Sequence, residues 1–153
     1  MTNSKINQVT ELSIREFTID DYEALISVWQ EAELPYKPAG RDRKESIAGE
    51  VAQGNAIFLV AEISGKIVGS AFGTHDGRKG WINRVAVTPR YQRQGVAAKL
   101  VSEVERRLEG VGIGIIACLI EDWNTESITF FQKIGYHYHK DIMYFTKRQE
   151  LEI

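Results

Sequence analysis

The chain has 153 residues, 43% apolar and 26% charged, with a formal net charge of −2. That size and balance indicate one globular domain over residues 1–153 and exclude a strongly basic nucleic-acid binder. Cys118 is the only cysteine, which excludes an internal disulfide or a multi-cysteine zinc site and suits a reducing compartment.

Residues 1–11 and 148–153 are polar ends, expected to fray. No apolar run reaches membrane-spanning length and the N-terminus lacks a signal-peptide core, so a cytoplasmic protein is expected. Residues 12–17 alternate apolar and charged side chains, which predicts a half-buried strand. Thr18 caps the helix that follows. Asp20 and Asp21 suit its positive end, and Tyr22, Leu25, Ile26 and Trp29 recur at helical spacing. "ELPYKPAGRD" (33–42) carries two prolines and a glycine and is a loop. A shorter helix spans 42–53, with Ile47 and Val51 on one face.

Three consecutive strands follow: "AIFLVAEI" (56–63), "IVGSAFGTH" (67–75) and "WINRVAV" (81–87). The turns "SGK" and "DGRKG" join them, and Asp76-Gly77 supplies the positive φ of a tight hairpin. The next helix lines up Val96, Leu100, Val101, Val104 and Leu108, and Gly110 marks its end. "IGIIACLI" (113–120) is nearly all apolar, as suits a strand covered on both faces beside a parallel neighbour. A last helix reaches about Ile134 before Gly135, and residues 136–138 and 142–146 predict two final strands. The order β-α-α-β-β-β-α-β-α-β-β describes an α/β protein of α+β type. It is a mixed sheet of about seven strands with helices on both faces.

"RYQRQGVAAKL" (90–100) joins a strand to a helix. A helix start carries free N–H groups and partial positive charge, so it favours an anion. Gly95 lets a phosphate approach the backbone, Ala97 and Ala98 add little bulk, and Arg93 brings charge. On these residues alone the stretch is either a phosphate cradle or an ordinary turn entering a helix.

"VAVTPRYQRQGVAAKLV" resembles the acetyl-CoA-binding motif of the GNAT (Gcn5-related) N-acetyltransferases, through Gln92, Gly95 and Ala97. "NTESITFFQKIGY" (124–136) resembles the family's second signature, an Asn, an aromatic pair and a Gly-aromatic. The hairpin "DGRKGW" and "CLIEDWN" are similar to a subgroup of small bacterial and archaeal acetyltransferases. The resemblance implies a GNAT-like acyl-CoA N-acyltransferase fold that binds acetyl-CoA in a gap between the strands 81–87 and 113–120. Backbone groups of Val85, Ala86 and Val87 would pair with the pantetheine arm. Gln92, Arg93, Gln94, Gly95, Val96, Ala97 and Ala98 would form the pyrophosphate cradle, with Asn124 and Phe131 also at the cofactor. It further implies direct attack on the thioester by a primary amine of a small molecule, a peptide N-terminus or a lysine.

Two positions depart from the family pattern. The usual general acid is a tyrosine seven residues after the Asn, and here Phe131 stands there without a hydroxyl. In some relatives a glutamate base lies on the strand that here runs to Ile120, where this chain has Leu119; Glu121, two residues on, lies at that strand's end. Tyr144 and Tyr138 are candidates to replace the acid. Tyr36 and Arg41 in the loop before the second helix, with Trp81 and Asn83 on the central strand, are candidates for the acceptor side. Cys118 reads as an inert core residue. His75, His137 and His139 make no metal spacing, so no metal is expected. The resemblance also suggests a homodimer, since last strands commonly pair subunits in the family. The rival reading is a CoA-binding sensor without turnover, which Phe131 favours. A different βαβ nucleotide binder is weaker, because no GxxxxGK[ST] loop is present.

Overall fold

A computed structural model describes residues 11–150; the fraying expected at residues 1–10 and 151–153 lies outside them. Strand β1 (Ser13–Glu16) leads through a short 3-10 turn to helix α1 (Tyr22–Glu31), then helix α2 (Lys44–Ala52). Strands β2 (Ala56–Ile63), β3 (Lys66–His75) and β4 (Gly80–Val87) follow. Helix α3 (Val96–Gly110), strand β5 (Ile116–Ala117) and helix α4 (Thr125–Lys133) complete the order. The sheet runs β1-β2-β3-β4-β5, antiparallel except for the parallel pair β4–β5.

Helices cover both faces, and the side-chain alternation of β2 sorts the core between them. Phe58 and Val60 face α1 and α2, with Leu25, Val28, Trp29, Ile47 and Phe72. Leu59, Ala61 and Ile63 face α3, with Val96, Leu100, Val104 and Leu108. Leu100 is fully buried, which stabilises by about 1.5–3 kcal/mol for a side chain of its size. Helix α3 lies unusually close to the sheet because glycines stand beneath it. A Cβ on Gly73 would sit 2.5 Å from Val104 Cγ1, and one on Gly69 3.1 Å from Leu100 Cδ1. A Cβ on Gly80 would be 3.1 Å from Leu108 Cδ1.

The fold class agrees with the sequence reading, but the strand count does not. Residues 113–120 pair only at Ile116 and Ala117. The run is not covered on both faces: Ile115 and Leu119 are 62% and 59% exposed. The two strands expected at 136–138 and 142–146 are absent among the described residues, and both stretches are unpaired and largely exposed. Their apolar pattern suits a strand, yet among the described residues no strand pairs with them to supply the ladder. Cys118 is half-buried rather than fully enclosed. The second helix starts at Lys44, and Val51 is 39% exposed instead of facing the core.

Candidate active site

Strand β4 holds the centre of the site because it changes partners along its length. It pairs with β5 only at Gly80↔Ile116 and Trp81↔Ala117. Beyond Trp81 no β5 pairing continues, so the two segments part. On the opposite edge the register runs from Phe72↔Asn83 to Ser70↔Ala86. Arg84 and Val85 therefore oppose Ala71 alone, which is a β-bulge. Arg84 carries the strain, with φ 54, a region where a non-glycine residue is uncommon.

Val85 to Val87 present polar backbone to the gap. The Thr88 N–H donates to Val68 O of β3 at 2.8 Å. Peptide groups alternate between the two edges of a strand, so those of Val87 and Val85 turn away from β3. The Val87 carbonyl is already engaged: Gln92 Nε2 donates to it at 2.8 Å. Gln92 thus pins the loop to the strand end with its side chain. Gln94 does similar work within the loop, donating to Arg90 O at 3.1 Å.

The loop then enters α3 through Gly95, whose φ is 84, with nothing within 4 Å of a hypothetical Cβ. Arg93 is also left-handed, with φ 62. A helix leaves its first amides without intrahelical acceptors. Those of Val96, Ala97 and Ala98 open beside the gap, at the positive end of a 15-residue helix. No acidic residue stands in that first turn. Residues 92–98 thus form one continuous turn into α3, with amides free of intrahelical acceptors at its start.

The remaining candidates are distributed less evenly. Asn124 caps α4, its Oδ1 accepting from Ser127 N at 3.2 Å. Phe131 is 6% exposed and packs edge-on against Phe130 and Tyr136. Tyr136 donates to Glu105 Oε2 at 2.9 Å, and burial raises its phenol pKa further than the carboxylate does. Glu121 is exposed and accepts from Trp123 Nε1. Tyr144 is 67% exposed on the unpaired C-terminal stretch. Burial pushes the Cys118 thiol up to about 11, so it stays protonated at neutral pH and is a poor nucleophile. His75 Nδ1 accepts from Gly77 N at 3.1 Å in the hairpin. Among the described residues no three His, Cys, Asp or Glu side chains are grouped to hold a metal.

On the α1–α2 face the loop 33–42 folds over the bulge. Tyr36 accepts from Gln30 Nε2 at 2.8 Å and tilts against Trp29. Arg41 is exposed, whereas Asp42 is 5% exposed and bound to Arg84. Asn83 is exposed and Trp81 half-buried, with Lys79 over its ring at 4.8 Å. Glu50 is half-buried near this cluster. Burial and then Asp42 raise its carboxyl pKa, against the opposing pull of Arg84 and Arg41. Arg84 was missed in the sequence reading. A charged residue inside an apolar strand is the signal that finds it, since such a group needs a partner.

Residues 9–136 match the model of the Acetyltransferase (GNAT) family. Acetyltransferase SG1711 of Sodalis glossinidius is 31% identical over 137 residues, covering 90% of this chain and 95% of that one. Acetyltransferase ECA0875 of Pectobacterium atrosepticum is 33% identical over 125 residues, 82% of this chain and 87% of its own. Among solved structures, the PaiA N-acetyltransferase of Thermoplasma acidophilum in complex with coenzyme A aligns with a TM-score of 0.74. Its identity is 21%, and 84% of this chain and 91% of that one are covered. The aminoglycoside N-acetyltransferase AAC(6')-Iy in complex with CoA also reaches 0.74 at 20% identity, over 90% and 95% of the two chains. By this match and these relatives, and with the parted β4–β5 pair and the bulge in β4 in agreement, the chain belongs to the GNAT family of acetyltransferases.

Proposed function

We propose that the protein transfers an acetyl group from acetyl-CoA to a primary amine of a small molecule, a peptide N-terminus or a lysine. The observation that carries this reading is the left-handed Gly95 ahead of the free first amides of α3, set beside the open edge of β4. The amides of residues 93–98 would hold the pyrophosphate, and Val85 and the Val87 N–H would take the pantetheine arm as an added strand. Acetyl-CoA supplies an activated acyl carbon to that site. Asn124 holds the start of α4 through its cap, and Phe131 fills the core beneath the gap instead of offering a proton.

Glu121 is the proposed base and Tyr144 the proposed acid. Both have the solvent contact that proton transfer through water requires. Thiolate departure is then less assisted than with an enclosed tyrosine, and the non-catalytic sensor remains the second reading because Phe131 lacks the hydroxyl. We also infer a homodimer through the C-terminal stretch. Tyr138, Ile142, Met143 and Phe145 are 64–86% exposed, in backbone that lacks strand partners. A second copy brings both halves of the missing contact, an unpaired strand and the open edge beyond β5.

Calorimetric titration with CoA tests the cradle. Gly95→Asp places a like charge at the pyrophosphate position and is expected to weaken CoA by about tenfold, or 1.4 kcal/mol. Its melting temperature should fall a little, because a φ of 84 strains any side chain even in open space, but the fold should stay intact. Thiol release from acetyl-CoA is then followed over kanamycin, spermidine and a lysine peptide. Release with any of these supports the transferase, and binding without release supports the sensor. Absence of CoA binding by the wild type sinks both.

A further inference from the structure

The Arg84 side chain is built into the loop 33–42. Its Nη2 lies 2.5 Å from Asp42 Oδ2 and its Nε donates to Asp42 Oδ1 at 3.3 Å. Its Nη1 donates to Pro35 O at 3.1 Å, and the guanidinium stands over the Trp29 ring, 5.3 Å from the centroid. Asp42 is fully committed in turn. Its carboxylate accepts from Lys37 N at 2.7 Å, its own N–H donates to Lys37 O at 3.1 Å, and its carbonyl accepts from Tyr22 Oη at 2.8 Å. Asp42 and the Arg84 side chain are 7% and 16% exposed in this pair.

The backbone of Arg84 is the bulge residue of β4, at the point where that strand has left β5. Its carbonyl accepts from Ser70 Oγ at 2.7 Å, and Ser70 in turn accepts from Trp29 Nε1 at 3.0 Å. One residue therefore grips the loop with its side chain and ties the bulge to β3 with its main chain, next to the gap-facing Val85. A planar fork that addresses both carboxylate oxygens and a peptide carbonyl is specific to arginine. An ammonium at the same place reaches one partner at a time.

We propose that Arg84 is a positioning residue that ties the loop 33–42 to the β4 bulge and so places the acceptor amine opposite the thioester. The proposal rests on the acetyl-transfer reading for what the loop is positioned against. Breaking the pair should disturb acceptor binding and leave the cradle at α3 alone, because no atom of the latch touches residues 92–98 among the contacts above.

Asp42→Asn, Arg84→Met and Arg84→Lys are compared with the wild type by amide hydrogen exchange, CoA titration and steady-state kinetics. The acceptor used is the amine panel member with the greatest thiol release. Asp42→Asn keeps an acceptor for Lys37 N–H and guards against misfolding of the arginine variants. The expected result is faster exchange confined to residues 33–42. Acceptor KM should rise about tenfold while kcat and acetyl-CoA KM stay within about twofold, the signature of lost ground-state placement. Arg84→Lys should restore the fold but not the acceptor KM. Unchanged exchange in the loop, or an equal rise in acetyl-CoA KM, overturns the proposal. If the wild type binds CoA but acetylates no panel amine, the transferase reading fails first. The latch is then decided by loop exchange and CoA affinity alone.

Discussion

At the scale of single residues, the site is a set of groups whose charge state is governed by what lies next to them. Glu50 shows the sign most directly. Burial and Asp42 raise its pKa above the ordinary 4.5, so the fold favours its protonated form. That contribution is present below pH 4.5 and is lost as pH rises through the folded value, leaving a partly desolvated charge at neutral pH. Glu50→Gln should therefore raise the melting temperature at pH 7. The gain should vanish near pH 4. Calorimetry at the two pH values checks this, and an equal gain at both would show that charge is not the cause. Arg84 carries the opposite lesson about legibility. Its arginine in "WINRVAV" was visible as an anomaly, but its partner Asp42 lies 42 positions away and its φ of 54 follows from a bulge. Neither feature has a local pattern to read.

At the scale of elements, periodicity carried most of the information. The faces of α3 and the three strands β2 to β4 stand where apolar spacing puts them, because each buries one stripe against one partner. The candidate cradle and its place between a strand and a helix were legible. What the structure adds is the left-handed turn at Arg93 and Gly95 and the Gln92 side chain on Val87 O. What spacing cannot convey is how near two elements come. Helix α3 approaches β3 closely because Gly73 presents no Cβ beneath Val104. Gly73→Ala puts a methyl 2.5 Å from Val104 Cγ1, with the backbone fixed on one side. Overpacking of this kind typically costs about 1–3 kcal/mol, read as a lower urea midpoint with an unchanged slope. The added methyl would also displace the start of α3, so CoA affinity should fall with stability. Gly95→Asp, in open space, should separate the two.

For the whole molecule, the missing strands are the main departure from expectation. The residues 136–146 alternate as strands do, and yet the chain alone gives them no ladder. Pairing is a property of what is adjacent, and a sequence specifies adjacency only when the partner is its own. A standard interface buries about 800 Å² per partner. Tyr138 and Phe145, at about 150–250 Å² each when fully buried, supply much of that area with Ile142, Met143, Ile115 and Leu119 beside them. Light scattering is expected to give twice the chain mass for the wild type. Met143→Asp with Phe145→Asp should give a monomer that still binds CoA. A wild-type monomer at about 50 μM, far above a micromolar dissociation constant, would overturn the dimer.

The glycines beneath α3 also have a metric consequence. Leu100, Val104 and Leu108 each sit over a missing Cβ, so this packing sets the height and register of α3 on the sheet. Its first turn is thus a fixed origin, and the β4 bulge a fixed mark on the same scale. The span between them is a dimension of the scaffold, independent of the side chains that line the gap. A carrier arm held at that origin, as proposed above, would have its reach toward the bulge set by this span. Selection for acyl length would then act as measurement against a ruler, and a shift of α3 by one residue would recalibrate it.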